Sequence, residues 1–199
     1  MRRRRIRPAR RGPGCQLNLP PEERQLLESL PDQLAGVLAG LDLEGGEVPE
    51  SLRRIFPRAY VSDDKAERAF VAATRGELAA SHRQALETLR GTAQASVLGP
   101  EEMSAWLTAL NDLRLVLGTV LDVRDDEDWV PPAPVESEFV IYQYLTLLQA
   151  ELIEVMEEAL PPPMPGADDA LPEDPWGDPL GGLRWDGTPQ PRSPFGDKP

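Results

Sequence analysis

Cysteine and histidine are nearly missing from this chain of 199 residues, each occurring once, as Cys15 and His82. A single cysteine cannot close an intramolecular disulfide, and these two residues cannot supply a cysteine- or histidine-based metal site, so no metal or cofactor is expected. Lysine is almost as scarce, with two residues against 19 arginines. That bias reads first as genomic base composition and only second as phosphate recognition. No apolar run approaches the ~20 residues that span a bilayer, and the basic start is followed by Cys15-Gln16-Leu17-Asn18-Leu19-Pro20-Pro21-Glu22 rather than an apolar signal core. The cytoplasm, without membrane contact, is the expected location. An acid–base pair, a phosphate loop and a nucleophile–base set are likewise missing, and Gly12-Pro13-Gly14 does not serve as one, so the chain is expected not to be an enzyme.

Charge is abundant but uneven. The formal net charge is −13, yet residues 1–12 hold seven arginines and no acid. The other 187 residues hold 14 basic and 34 acidic groups, a net of −20. A body this acidic repels nucleic acid, so any such contact must be local. Two places qualify. One is the arm carrying Arg2, Arg3, Arg4, Arg5, Arg7, Arg10 and Arg11, either a salt-sensitive phosphate grip or a solvated terminus. The other is Arg53, Arg54 and Arg58 around Ile55, Phe56 and Tyr60, either a patch for phosphate or an acidic partner, or arginines paired with acids over apolar surface. Cys15, at the junction of arm and domain, is the redox candidate if its thiol is exposed there.

Periodicity predicts an all-α fold, a bundle-like domain of about five to seven helices over residues 17–160. A disordered arm precedes it over 1–16, and a disordered acidic, Pro-rich tail follows over 161–199. The central helix follows Pro100-Glu101-Glu102, with Trp106, Leu107, Leu110, Leu113, Leu117 and Leu121 in one stripe; Asn111, Arg114 and Gly118 share another side. Leu26 to Leu41 is helical, with a kink or break expected at Pro31. A short helix is predicted over 50–56, closed by Pro57, and Ser62 is the expected cap of the next. Ala66, Ala69, Phe70 and Ala73 form its buried face, and the capping-box spacing Thr74-Arg75-Gly76-Glu77 marks a further helix start, whose apolar stripe includes Leu78 and His82. His82 is expected to be a packed histidine. The acid run from Asp122 to Asp128 reads as a solvated loop, and the last helix covers about Glu136 to Leu160. In the tail, Trp176, Trp185 and Phe195 are either docking elements or unselected composition.

Three stretches together resemble one family. They are Arg54-Ile55-Phe56-Pro57-Arg58-Ala59-Tyr60, the Trp106-to-Val123 run with Leu110-Asn111-Asp112-Leu113-Arg114-Leu115-Val116-Leu117-Gly118-Thr119, and Val140-Ile141-Tyr142-Gln143-Tyr144-Leu145-Thr146-Leu147-Leu148-Gln149. Leu19-Pro20-Pro21-Glu22-Glu23-Arg24 fits as well. These are similar to the AosR-like oxidative-stress regulators, a domain of unknown function in actinobacteria. The resemblance covers about residues 17–160 and assigns Asn111, Asp112, Arg114 and Gly118 to the family motif. It implies a redox-responsive transcription factor acting with a stress sigma factor on cysteine-biosynthesis genes, sensing through an N-terminal C-x-x-x-C pair. Here Leu19 stands where the partner of Cys15 would fall, so that intramolecular switch does not carry over. The expected function is a transcription-linked regulator touching a sigma factor, RNA polymerase or, through the arm, promoter DNA, as a monomer or homo-oligomer. The alternative is an interaction adaptor in proteolysis or sulfur metabolism that does not bind DNA.

Overall fold

The computed structural model describes residues 4–10, 12–41, 47–123 and 136–159. Arg2, Arg3, Arg11, most of the 122–128 acid run and the three tail aromatics lie outside them. Among the described residues there are four α-helices rather than five to seven, together with a 3-10 turn and a small sheet. The elements are β1 (Ile6–Pro8), β2 (Cys15–Leu17), α1 (Pro21–Ala39), the 3-10 turn Glu50–Leu52, α2 (Asp64–Thr92), β3 (Val97–Leu98), α3 (Pro100–Val120) and α4 (Glu136–Glu158).

The stripe on α3 organises the domain. Met103, Trp106, Ala109, Leu110 and Leu113 are buried, and the helix packs against both α2 and α4. Trp106 is fully enclosed, and its indole Nε1 donates to Thr92 Oγ1 on α2 at 2.7 Å, so the one polar atom of the ring is satisfied. Beyond the helix, Asp122 adopts φ 50° and the Val123 N–H donates to Gly118 O (2.8 Å) while the Asp122 N–H donates to Thr119 O (3.2 Å), a Schellman close.

Fewer helices form than expected because two breaks do not occur. α1 runs through Pro31, which is itself buried in line with Leu27, Leu30, Leu34 and Leu38. That stripe outweighs the ~3 kcal/mol an interior proline costs. α2 runs through 74–77 because the Thr74 hydroxyl does not cap; it donates to Phe70 O, one turn back, at 2.8 Å. The actual cap of α2 is Asp63 rather than Ser62, its carboxylate accepting from the Lys65 and Ala66 N–H groups at 2.9 and 3.0 Å. The short helix predicted over 50–56 is only the 3-10 turn.

The larger correction concerns the arm. Instead of disorder up to residue 16, β1 and β2 form an antiparallel ribbon with Ile6 opposite Leu17 and Pro8 opposite Cys15; β3 adds on with Leu98 opposite Cys15. The Ala9 N–H donates to Gly14 O (3.0 Å), closing the hairpin. Gly14, at φ +131°, approaches β3 so closely that a Cβ would lie 2.3 Å from Leu98 O, leaving room for glycine alone. Ile6, Cys15 and Leu17 bury their side chains beneath the ribbon.

Helix α4 supplies Leu145, Leu148, Leu152 and Val155 to the core. By length and composition alone Ser137–Glu158 is also long and apolar enough to cross a membrane, with a mean hydropathy of 1.2 in an 18-residue window, a test that a helix with its apolar side in a core also passes.

Candidate functional site

Two of the arginines singled out from sequence, Arg53 and Arg58, line a groove of about 900 Å³ between the 47–59 segment and the outer side of α2. Its floor is apolar, from Ile55, Phe56 and Val71, and Arg68 and Arg75 add cationic groups from the helix. Arg53 bridges to Glu50 at 2.8 Å and Arg58 to Asp64 at 2.6 Å, both pairs well exposed. The hydrogen bond from Arg58 holds the Asp64 carboxyl below its ordinary range. The loop wall is fixed by Glu67, whose Oε2 accepts the Ala59 and Tyr60 N–H groups at 3.0 and 2.8 Å. Phe70 and Leu78, expected inside, are 37% and 41% exposed and face this groove, while Ala69 and Ala73 are also exposed. The N-terminal half of α2 therefore buries only Val71 and Arg75.

Arg54 departs from its two neighbours. Its Nη1 would lie 3.5 Å from a Cβ at Gly118, and its Nη2 donates to Val123 O at 3.5 Å. From the other side the Tyr142 ring comes within 3.3 Å of that Cβ position, so Gly118 marks a close approach of α4 and the Arg54 segment to α3. Arg114 donates to Gln149 Oε1, and Gln149 Nε2 donates to Asn111 Oδ1 at 3.4 Å. The motif side of α3 thus binds one glutamine of α4. Asp112 points the opposite way, toward α2, where its buried Oδ2 lies 2.6 Å from His82 Nδ1. The His82 ring meets the edge of Phe56 at 5.5 Å between centroids, linking this pair to the groove floor. His82 is packed as expected, but its carboxylate partner, 30 residues away, has no local signature.

The arm arginines divide. Arg5 donates to Glu23 through Nε (2.6 Å) and Nη2 (2.5 Å), and the Tyr144 hydroxyl donates to the same carboxylate at 2.9 Å. Glu151 on α4 accepts the Arg5 and Ile6 N–H groups at 2.8 and 2.9 Å, and Arg4 bonds Glu154. The Glu23 hydrogen bond raises the Arg5 pKa, and burial followed by the Glu23 charge raises that of Tyr144. Arg24 ties the ribbon to the body, donating to Leu17 O of β2 (3.4 Å), to Leu19 O (3.0 Å) and to Ala93 O and Ala95 O (both 2.7 Å). Arg4 and Arg5 therefore clamp the ribbon to α1 and α4, whereas the Arg7 and Arg10 side chains are exposed on the hairpin.

Cys15 does not occupy the exposed position its redox candidacy requires. Its side chain is fully buried, and burial first, then the Glu102 charge, push the thiol up to about 11 against an opposing hydrogen bond with the Leu98 backbone. A protonated, enclosed thiol is a poor nucleophile and a poor sensor.

Sequence reasoning missed Glu23, Tyr144 and Glu151 as the clasp and Asp112 as the histidine partner. The alternation of Ile6 with Pro8 and of Cys15 with Leu17 around Gly12-Pro13-Gly14 was the available hairpin signal.

The sequence profile described as Domain of unknown function (DUF2017) matches residues 1–156, so it includes the ribbon. The protein named oxidative stress regulator AosR in Mycobacterium tuberculosis is 30% identical over 183 residues, covering 74% of this chain and 84% of its own; its Mycobacterium bovis namesake gives the same values. A Mycobacterium leprae relative is 33% identical over 138 residues, 59% of this chain, and the chain spans only 64% of that relative's length. No solved structure matches.

Proposed function

Because the chain belongs to the DUF2017 family, with AosR-like oxidative-stress regulators among its relatives, we propose that it is a regulator of the oxidative-stress response that works by contact with the transcription machinery, a sigma factor or RNA polymerase. The observation that carries this reading is the similarity to proteins named oxidative stress regulator over 74% of the chain. Charge distribution favours protein contact over base reading. Arg4 and Arg5 are held by the domain's own glutamates, and Arg7 and Arg10 are left on an acidic body.

A second reading, promoter contact through the hairpin, draws support from the outward Arg7 and Arg10. The full chain is passed over immobilised RNA polymerase core, holoenzyme and free stress sigma factor, with a gel shift on promoter fragments run in parallel at ~50 and ~200 mM salt. Retention by sigma factor or polymerase at both salts, with any DNA shift fading at the higher salt, is the expected result. A salt-stable, sequence-specific shift abolished by Arg7→Ala/Arg10→Ala, without retention by the polymerase, would replace this reading with the second.

A further inference from the structure

We infer that the groove between α2 and the 47–59 segment receives an acidic amphipathic helix of a partner protein; this deepens, and rests on, the protein-contact reading above. Along α2 the lining runs from Glu67 through Val71 and Arg75 to Leu78, a rise of eleven residues, which at 1.5 Å per residue is a trough ~16 Å long. That is the length over which a helix offers anchors at i, i+4, i+7 and i+11. The floor is suited to such anchors. Ile55, Phe56 and Val71 form it, and Phe70 and Leu78 stand more than a third exposed along its α2 rim. Large apolar side chains left in water at the rim of a concave surface mark a surface meant to be covered.

Charge selects the occupant. Residues 17–160 hold 11 basic and 27 acidic groups, yet in this groove the exposed Arg53, Arg58 and Arg68 stand against Glu47 and Glu67, with Arg75 buried beneath. The rim arginines Arg53 and Arg58 pair with Glu50 and Asp64 in solvent-exposed ion pairs, and Arg58 also donates to Tyr60 O at 3.3 Å; exposed pairs are worth little net, so both can exchange Glu50 and Asp64 for carboxylates of an incoming helix at little cost. A basic helix would find the acidic remainder of the domain but would lie against these guanidinium groups. Glu67, one of the two acids in the lining, is occupied by the Ala59 and Tyr60 N–H groups, so it keeps the wall in place and its charge is partly satisfied.

The test uses the full chain and a fluorescein-labelled helical peptide of about 15 residues, with leucines at i, i+4, i+7 and i+11 and glutamates on the flanks. A companion peptide has every glutamate replaced by lysine. Anisotropy is expected to report binding of the acidic peptide and at least about tenfold weaker binding of the basic one. Leu78→Asp and Arg58→Glu/Arg68→Glu should each weaken the acidic peptide about tenfold, with circular dichroism and melting temperature unchanged, while Val140→Asp on exposed α4 surface leaves binding intact. Equal affinity for both peptides, no binding of the acidic one, or indifference to the groove variants overturns the inference. So does a dimer in sedimentation that Leu78→Asp converts to monomer, because a second copy then fills the groove. Retention on polymerase separates the two readings. If the groove variants are retained as well as the parent, the groove assignment falls and the transcription reading stands. If peptide binding follows the expected pattern but polymerase and sigma factor retain nothing, the reverse holds.

Discussion

Replacing Glu23 by glutamine tests how the ribbon is held. The carboxylate of Glu23 accepts both guanidinium bonds of Arg5 and the Tyr144 hydroxyl, and the Arg5 and Glu23 side chains are only 15% and 19% exposed. An exposed pair would contribute ~0.2–1 kcal/mol, and breaking a fully buried one costs ~3–5 kcal/mol. At this partial burial, with an amide still able to accept one bond, the loss should be about 2 kcal/mol. It should fall on the docking of β1 and β2, because Glu151 and Glu154 contribute the other ribbon contacts and α1 is otherwise untouched. Cys15, buried beneath the ribbon, reports that opening directly. If labelling by a thiol reagent proceeds through local opening, 2 kcal/mol raises its rate about 30-fold. Arg7→Ala, on the outward side, should leave the rate alone. An unchanged labelling rate in Glu23→Gln, or a rise that only tracks the fall in global stability measured in urea, would refute the idea that this carboxylate clamps a separable ribbon.

Three further outcomes follow from the same contacts. The folded Cys15 thiol keeps its proton up to about 11, while an unfolded thiol releases it near ~8.5, so stability is intact below that pH and falls by ~1.4 kcal/mol per pH unit until about 11. Urea titrations across that range should show Cys15→Ala lacking this slope. His82→Ala leaves the buried Asp112 carboxylate without its partner and should cost about 3 kcal/mol, and a double-mutant cycle with Asp112→Ala should return at least ~1 kcal/mol of coupling; additive losses would contradict the pairing. Gly118→Ala gains up to ~1 kcal/mol of helix propensity but presses on Tyr142, for a net near zero, whereas Gly118→Leu should cost about 2 kcal/mol in calorimetry.

Periodicity suffices for α3, where Trp106, Leu110 and Leu113 recur at helical spacing and are in fact buried. It also places α4, where of the periodic stripe Phe139, Tyr142, Leu145, Leu148, Leu152, Val155 and Met156 the four from Leu145 to Val155 are buried and the other three half-buried. It fails on α2, where Phe70 reads as core because hydrophobicity alone does not say whether a neighbour exists to cover it. The arm fails for a different reason. Seven arginines in twelve residues look unable to pack, but the acids that pair with Arg5 and Arg4 lie at Glu23 and Glu154, and no local window contains them. The arginine groove was half legible. Arg53 and Arg58 stand out beside Phe56, but Arg68 and Leu78 join them only through the fold.

The clasp also imposes an order of assembly. Its two sides, Arg5 with Ile6 and Glu151, are separated by 146 and 145 residues, nearly the full span of the domain. During synthesis the hairpin leaves the ribosome before α4, by roughly 7–30 s at 5–20 residues per second. Throughout that interval Ile6, Cys15 and Leu17 lack the helix that anchors the ribbon over them. The domain's first segment is therefore its last to be secured, and the nascent chain carries an unanchored, arginine-rich hairpin until translation has passed Glu154.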